Sequence, residues 1–318
     1  MNYRTLGRTG LSASVMGLGC GGHSRLGMAQ NKGEENAVTV VRRALDLGIN
    51  FLDTAEAYGT EPAVGRALYE AGVRDRVILS TKVSTNKDGA RRTAAELRAA
   101  AEAGLLRLQT DRVDILHLHG VRDTDYDYCH DELVPALLDL RTEGKIRFVG
   151  ITEAFGPDPQ HKMLERAVRD DCWDVMMVGF NFVNQSARER VFAATQAKNI
   201  GVLDMFAVRR ALTTLPALHE LLAQMATENQ LPAAAAAALA TGDPVGFLFN
   251  GPDAPENIAD AAYRFCRDES GIQVVLSGTG SVDHLEANAA SLTRPPLSPE
   301  HVQRLREIFQ GIDTVSGN

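Results

Sequence analysis

Short apolar, β-branched runs recur along the chain, each breaking off at a glycine or a polar residue. They are "SVMGLG" from Ser14, "INFLD" from Ile49, "RVILSTK" from Arg76, "VDILHLH" from Val113, "IRFVGIT" from Ile146, "DVMMVGFN" from Asp174, "IGVLDMF" from Ile200 and "IQVVLSG" from Ile272. Each predicts a strand. Between them lie segments of helical period, among them "ENAVTVVRRALDLG", "TAAELRAAAEAGLLRL" and "SARERVFAATQAKN", often ended by Gly or Asn as helices are. Strands apolar on both faces, each followed by a crossover helix, require a parallel sheet. Eight such units predict an α/β fold, a (β/α)8 TIM barrel formed by one domain over residues 1–318. A doubly wound sheet with extra elements is the alternative.

Two segments fall outside the repeat. "YRTLGRTGLSAS" predicts an N-terminal β-hairpin turning at "GRTG" and plugging the barrel's N-terminal end, and "SPEHVQRLREIFQGI" predicts an extra, capped C-terminal helix. The longest connection, Ala207 to Gly271, follows the seventh strand, where an insertion commonly shapes a substrate pocket.

Composition narrows the function. With 44% apolar and 23% charged residues and no low-complexity tract, the chain is expected to fold. A net charge of −8 with no long basic stretch disfavours nucleic acid and anionic lipid as partners. Cys20, Cys129, Cys172 and Cys266 form no CxxC pair, which disfavours zinc and disulfides and fits a reducing cytoplasm. The first residues lack an apolar signal core, and "LPAAAAAALA" is too short to span a membrane. A small-molecule partner is expected; oligomeric state is not legible.

Active sites of such barrels gather at the C-terminal strand ends. There the sequence places Asp53 and Tyr58 after the second strand, Lys82 on the third, His119 on the fourth, Thr152 and Glu153 on the fifth and Asn181 after the sixth. Singly these have ordinary readings: Asp53 as a turn cap, Tyr58 as a loop aromatic, one of His117 and His119 as structural. A lysine ending a buried strand is harder to explain without a partner. Together, Asp53 can pair with Lys82, whose cation beside Tyr58 would bring the phenol closer to working pH, while His119 orients a substrate oxygen. Such a group moves protons; it needs a separate electron carrier.

At this point the residues resemble the aldo-keto reductase family. "ALDLGINFLDTAEAYG" resembles the family's segment with its catalytic aspartate and tyrosine, "VILSTK" that with its lysine, and "VDILHLH" that with its histidine, which selects His119. The resemblance runs from "YRTLGRTGLSASVMGLGC" to "SVDHLEAN". It implies a barrel that binds a nicotinamide cofactor without a GxGxxG fingerprint, with Asp53, Tyr58, Lys82 and His119 as catalytic residues. Hydride would pass between the nicotinamide and a carbonyl or alcohol such as an aldehyde, ketone or sugar-like alcohol.

The implied cofactor contacts depart from the family pattern. Thr152 and Glu153 stand where Ser-Asn is usual, Met177 where Gln is, and Met205 where a stacking Tyr is, with Phe206 beside it; Asn181 follows on the sixth strand's exit. The stretch from Gly278 to Asn288 resembles the phosphate-binding segment, with Gly278, Thr279, Gly280 and Ser281 suited to a phosphate at a helix N-terminus. Gly278 and His284 occupy the places of the basic residues that usually hold the 2′-phosphate of NADP. Family habit puts NADP(H) first by a small margin, with NAD(H) open and Arg209 or Arg210 as a substitute cation. Cys20, His23, Tyr126, Phe155 and Trp173 are candidates for pocket lining. Two rival readings are a metal-dependent barrel hydrolase built on "HLH" and a catalytically idle, nucleotide-binding regulatory subunit.

Overall fold

The structure, a computed structural model, describes residues 1–318. Eight parallel strands close into a barrel: β1 (Met16–Gly19), β2 (Phe51–Asp53), β3 (Ile78–Ser84), β4 (Val113–Val121), β5 (Ile146–Glu153), β6 (Val175–Gly179), β7 (Gly201–Met205) and β8 (Val274–Ser277). Each strand pairs with the next in sequence, and Val275 of β8 pairs with Met16 of β1 to complete the ring. Each strand overlaps the run that predicts it, with β3, β4 and β5 continuing past its end to Ser84, Val121 and Glu153. Helices cover the outside, where residues such as Leu79, Val83, Leu116 and Leu118 join the larger apolar core.

The inward positions follow the alternation of strand side chains. At the N-terminal end Phe51, Ile78, Ile115, Val175, Met177, Leu203 and Val274 form an apolar layer. The hairpin of Tyr3–Thr5 and Ser12–Ser14 inserts Leu6 and Ala13 into that layer and closes this end. Two residues further along β2, β3 and β4, the same inward face turns polar, at Asp53, Ser80 and Lys82, and His117 and His119. The barrel is therefore oil-filled at one end and carries its buried polar groups toward the other.

The extra C-terminal helix, Pro299–Phe309, is capped by Ser298, whose Oγ accepts from the His301 N–H at 3.1 Å. The connection after β7 contains helices Leu215–Thr227, Ala233–Ala240 and Ile258–Arg267. The alanine-rich run forms the second of these and is largely exposed. No helix is long and apolar enough to cross a membrane.

Candidate active site

The segment after β2 leaves the barrel and turns back at once. Tyr58 ends a single 3-10 turn, Glu56–Tyr58, whose N–H bonds to the Ala55 carbonyl at 3.1 Å. Gly59 at φ 72° reverses the chain, and Thr54 Oγ1 and Thr60 Oγ1 close the loop at 2.9 Å. Helix Glu61–Ala71 starts directly after, so the loop past Tyr58 is short, as the sequence spacing implies. A second device fixes the Tyr58 ring: a Cβ on Gly21 would lie 2.4 Å from Tyr58 Cε2, so the loop after β1 carries glycine there because the ring occupies that space. Gly22, at φ 67°, is the position in that loop that needs backbone freedom.

Asp53 does not cap this turn. Its Oδ2 accepts from Lys82 Nζ at 2.5 Å and its Oδ1 from Ser80 Oγ at 2.9 Å. Lys82 Nζ also donates to the Thr54 carbonyl at 2.8 Å and lies 5.0 Å from the Tyr58 ring centroid. The Lys82 side chain is fully buried. Burial presses the Lys82 pKa down, but the charge of Asp53 and then Tyr58 outweigh it, so the ammonium is retained. Burial pushes the Asp53 carboxyl up, opposed by Lys82 and Ser80. The pair is one coupled equilibrium, and the short contact with its two further hydrogen bonds holds it ionised.

Tyr58 OH and His119 Nε2 are 3.4 Å apart, with the rings edge to face at 5.5 Å between centroids. Both side chains are partly exposed, whereas Asp53, Lys82 and His117 are buried. Burial raises the Tyr58 pKa above its ordinary value more than Lys82 lowers it, so the expected net approach of the phenol to neutral pH is not what the chain alone produces. His119 is driven down to about 3 by burial and then by Lys82, and is neutral at any working pH. The two histidines of "HLH" point to different partners, His119 to Tyr58 and His117 Nε2 to Ser80 Oγ at 3.1 Å, rather than converging on a metal.

The candidate cofactor residues divide into those left available and those the fold has used. Thr152 Oγ1 accepts from the Gly120 N–H at 2.7 Å and braces the segment after His119. Met205 and Phe206 are half-buried at the exit of β7, and Phe206 stacks on Phe155 and under the guanidinium of Arg209, 3.9 Å from its centroid. Gly278 is exposed at the exit of β8, where a Cβ would sit 2.9 Å from the Gly19 carbonyl oxygen. Thr279 Oγ1 accepts from the Ser281 N–H at 3.1 Å, and Ser281 caps helix Val282–Ser291. His284 is exposed on its first turn, and Asn288 Nδ2 donates to Ser277 Oγ at 2.9 Å.

Glu153 and Asn181 are corrections. The Glu153 carboxylate is buried, bonded to His161 Nδ1 at 2.9 Å and to the Gly179 N–H at 2.7 Å, which commits it to the fold. Asn181 is fully buried: its Oδ1 accepts from the N–H groups of Val183 and Asn184, and its Nδ2 donates to the carbonyls of Phe206 and Ser316. It ties the C-terminal tail to the barrel. Phe155, Trp173 and Tyr126 are likewise core residues, with Trp173 Nε1 donating to Tyr126 OH at 3.1 Å. Cys20 is fully buried and His23 exposed.

Three contributors escape the sequence patterns above. Ser80 shares the inward face with Lys82 by simple alternation, which was the available signal. Gly21 and Lys32 act across the fold and have no local signature. Lys32 Nζ donates to the Gly280 carbonyl at 3.0 Å, bringing a cation beside the Gly278–Ser281 turn that its own sequence lacks.

Comparison with known proteins decides the family. The sequence model of the aldo/keto reductase family matches residues 16–310. The chain belongs to the aldo/keto reductase family. An L-galactose dehydrogenase of Arabidopsis thaliana is 33% identical over 302 residues, 92% of this chain and 88% of that one. The aldo-keto reductase YhdN of Bacillus subtilis is 35% identical over 162 residues, 48% of this chain and 47% of that one. Among solved structures, the holo form of an aldo-keto reductase from Bacillus halodurans superposes with a TM-score of 0.74 at 26% identity, covering 97% of this chain and 96% of that one. One from Klebsiella pneumoniae in complex with NADPH gives 0.67 at 24% identity over the same shares, a likeness of fold. As an aldo/keto reductase, the chain is an oxidoreductase of carbonyl or alcohol groups that works with a nicotinamide cofactor.

Proposed function

We propose that this aldo/keto reductase interconverts a sugar-like alcohol and its carbonyl form, with Tyr58 as the proton donor and acceptor. The observation that carries this reading is the 3.4 Å separation of Tyr58 OH and His119 Nε2 at the partly exposed end of the buried Asp53–Lys82 pair. Two groups so spaced can both reach one oxygen at ordinary hydrogen-bond distances of about 2.7–3.0 Å. In reduction Tyr58 gives its proton to that oxygen while neutral His119 donates to it from Nε2; in oxidation Tyr58 takes the proton back. Lys82, kept charged by Asp53, lowers the cost of the phenolate in both directions. When bound, the nicotinamide cofactor supplies or accepts the hydride.

Residues of this chain fit that cofactor at its phosphate end. Gly278 and Gly280 let the turn pack against the backbone at Gly19 and Gly27, Ser281 opens a helix N-terminus, and Lys32 adds a cation. This favours NADP(H) over NAD(H), in keeping with the NADPH bound to the Klebsiella pneumoniae protein. Thr152, Met205 and Phe206 are the groups left to seat the nicotinamide end, since Glu153 and Asn181 are spent on the fold.

A sugar-like substrate is supported by the Arabidopsis thaliana L-galactose dehydrogenase and by a polar pair close in sequence to Tyr58. Glu56, two residues before Tyr58, is partly exposed and paired with Arg92 at 2.9 Å, a polar pair suited to vicinal hydroxyls. The reaction belongs in the cytoplasm, with the barrel acting as one domain. The test is turnover of a panel of aldoses, simple aldehydes and alcohols with NADP+, NADPH and their NAD counterparts. Oxidation of aldoses with NADP+ is expected. Tight NADPH binding without turnover of any of them would instead support the idle regulatory subunit.

A further inference from the structure

His117 has no part in the proton transfer proposed above, yet it fills the barrel beside Lys82. Strand register pairs Lys82 with His117 and His117 with Gly150, so the three share one level of the barrel. The His117 ring lies against the Gly150 backbone: a Cβ on Gly150 would be 2.2 Å from Nδ1. The ring is completely buried, and a leucine would fill such a space without the cost of burying polar nitrogens.

The hydrogen-bond directions follow from counting protons. Ser80 Oγ is 2.9 Å from Asp53 Oδ1 and 3.1 Å from His117 Nε2. A carboxylate held by Lys82 can only accept, so the single Ser80 hydrogen goes to Asp53. Ser80 must then accept from His117, which places the imidazole proton on Nε2. Nδ1 faces the backbone at Gly150 and Ile151 and makes no hydrogen bond of ordinary geometry there. The ring is neutral, because burial, then Lys82, then His119 hold its pKa well below the usual histidine value and outweigh the Ile151 backbone, which raises it.

We propose that His117 and Ser80 are positioning residues, a neutral donor chain from His117 Nε2–H through Ser80 O–H to Asp53 Oδ1 that keeps the carboxylate aimed at Lys82 and so sets the charge beside Tyr58. This rests on the proposed role of Tyr58. The titratable groups around Asp53 are Lys82, Cys20 and Tyr58, with His117 and His119 next to Lys82; Cys20, raised by burial, stays a thiol. Without the Ser80 donor, Asp53 keeps its proton to higher pH, and the protonated carboxyl no longer holds Lys82 charged.

Two measurements on the full chain test this. Imidazole ¹⁵N spectra of the folded protein, with His117 assigned by its loss in His117→Gln, should show the neutral Nε2–H tautomer from pH 5 to 8. A neutral Nδ1–H ring, or one that titrates in that range, overturns the chain. In the pH dependence of kcat/KM, Ser80→Ala should move the acid limb upward by about one pH unit, the size of one lost hydrogen bond to a charged group, and His117→Leu, which removes only the donor to Ser80, should move it in the same direction by less. His117→Gln, which retains an N–H donor, should bring it back toward the wild-type position, and the cofactor Kd should not change in any of the three. Limbs that superimpose on the wild type in Ser80→Ala and His117→Leu, whatever their stability, reduce the pair to packing. Tyr58→Phe measured alongside separates the cases: undiminished turnover removes the role of Tyr58 itself, whereas loss of turnover with unmoved limbs removes only this inference.

Discussion

Burial acts in opposite directions on the two groups that flank the candidate reacting oxygen. It raises the Tyr58 pKa and lowers that of His119 to about 3, so both are neutral at physiological pH. Reduction, which uses the protonated phenol, should therefore be flat through neutral pH, while kcat/KM for oxidation, which uses the phenolate, should climb from neutral into alkaline pH. Profiles in both directions between pH 6 and 10 check this; oxidation already maximal at pH 7 would contradict it. His119, depressed in the folded chain, takes up a proton on unfolding once the pH falls below its ordinary 6.5, so its contribution to stability is full above 6.5 and lost as pH falls toward about 3. Thermal melts of His119→Gln should accordingly depend less on pH in that window than those of the wild type. The buried Asp53–Lys82 pair predicts a different asymmetry. Lys82→Met strands a buried carboxylate and should cost about 3–5 kcal/mol of stability, whereas Asp53→Asn combined with Lys82→Met should recover much of that but no turnover. Denaturant melts and assays of the two variants measure it. Asp53, Tyr58 and Lys82 could be singled out because the strand-exit rule places them at one end of the barrel, whereas alternation puts His117 and His119 on the same face and only the family resemblance chose His119. Gly21 was not legible, since its reason is a ring that arrives from another loop.

At the scale of elements, the barrel strands were legible because each is a short apolar run bounded by glycine or polar residues. The N-terminal hairpin was readable from its turn, and its role follows from Leu6, which is fully buried in the apolar layer at the barrel's N-terminal end. Leu6→Ala should cost about 2–5 kcal/mol in denaturant melts while leaving kcat of the folded protein unchanged, because the plug and the strand exits are at opposite ends. The cofactor side of the site was less legible. Glu153 is consumed by His161, held at φ 58° in the left-handed region, and Asn181 by a tail from the far end of the chain. Neither commitment leaves a trace in local periodicity, so a residue-by-residue transfer of family positions does not reveal it.

For the whole molecule, the net charge of −8 sets a field that repels an anionic cofactor, so local cations must draw it in. In the proposed cofactor reading Lys32, beside the Gly278–Ser281 turn, is such a cation, and Lys32→Met should weaken NADPH binding about fivefold to tenfold in a fluorescence titration with little effect on NADH. The closed barrel brings together side chains from β2, β3 and β4 with the loop after β2, so that three separated segments supply the four residues of the proposed proton-transfer group. Its most direct test is hydride transfer in Tyr58→Phe, followed at saturating cofactor and substrate alongside the cofactor Kd. Loss of about a hundredfold or more in the chemical step with the Kd unchanged is the predicted result; a phenylalanine variant that transfers hydride at the wild-type rate would contradict it.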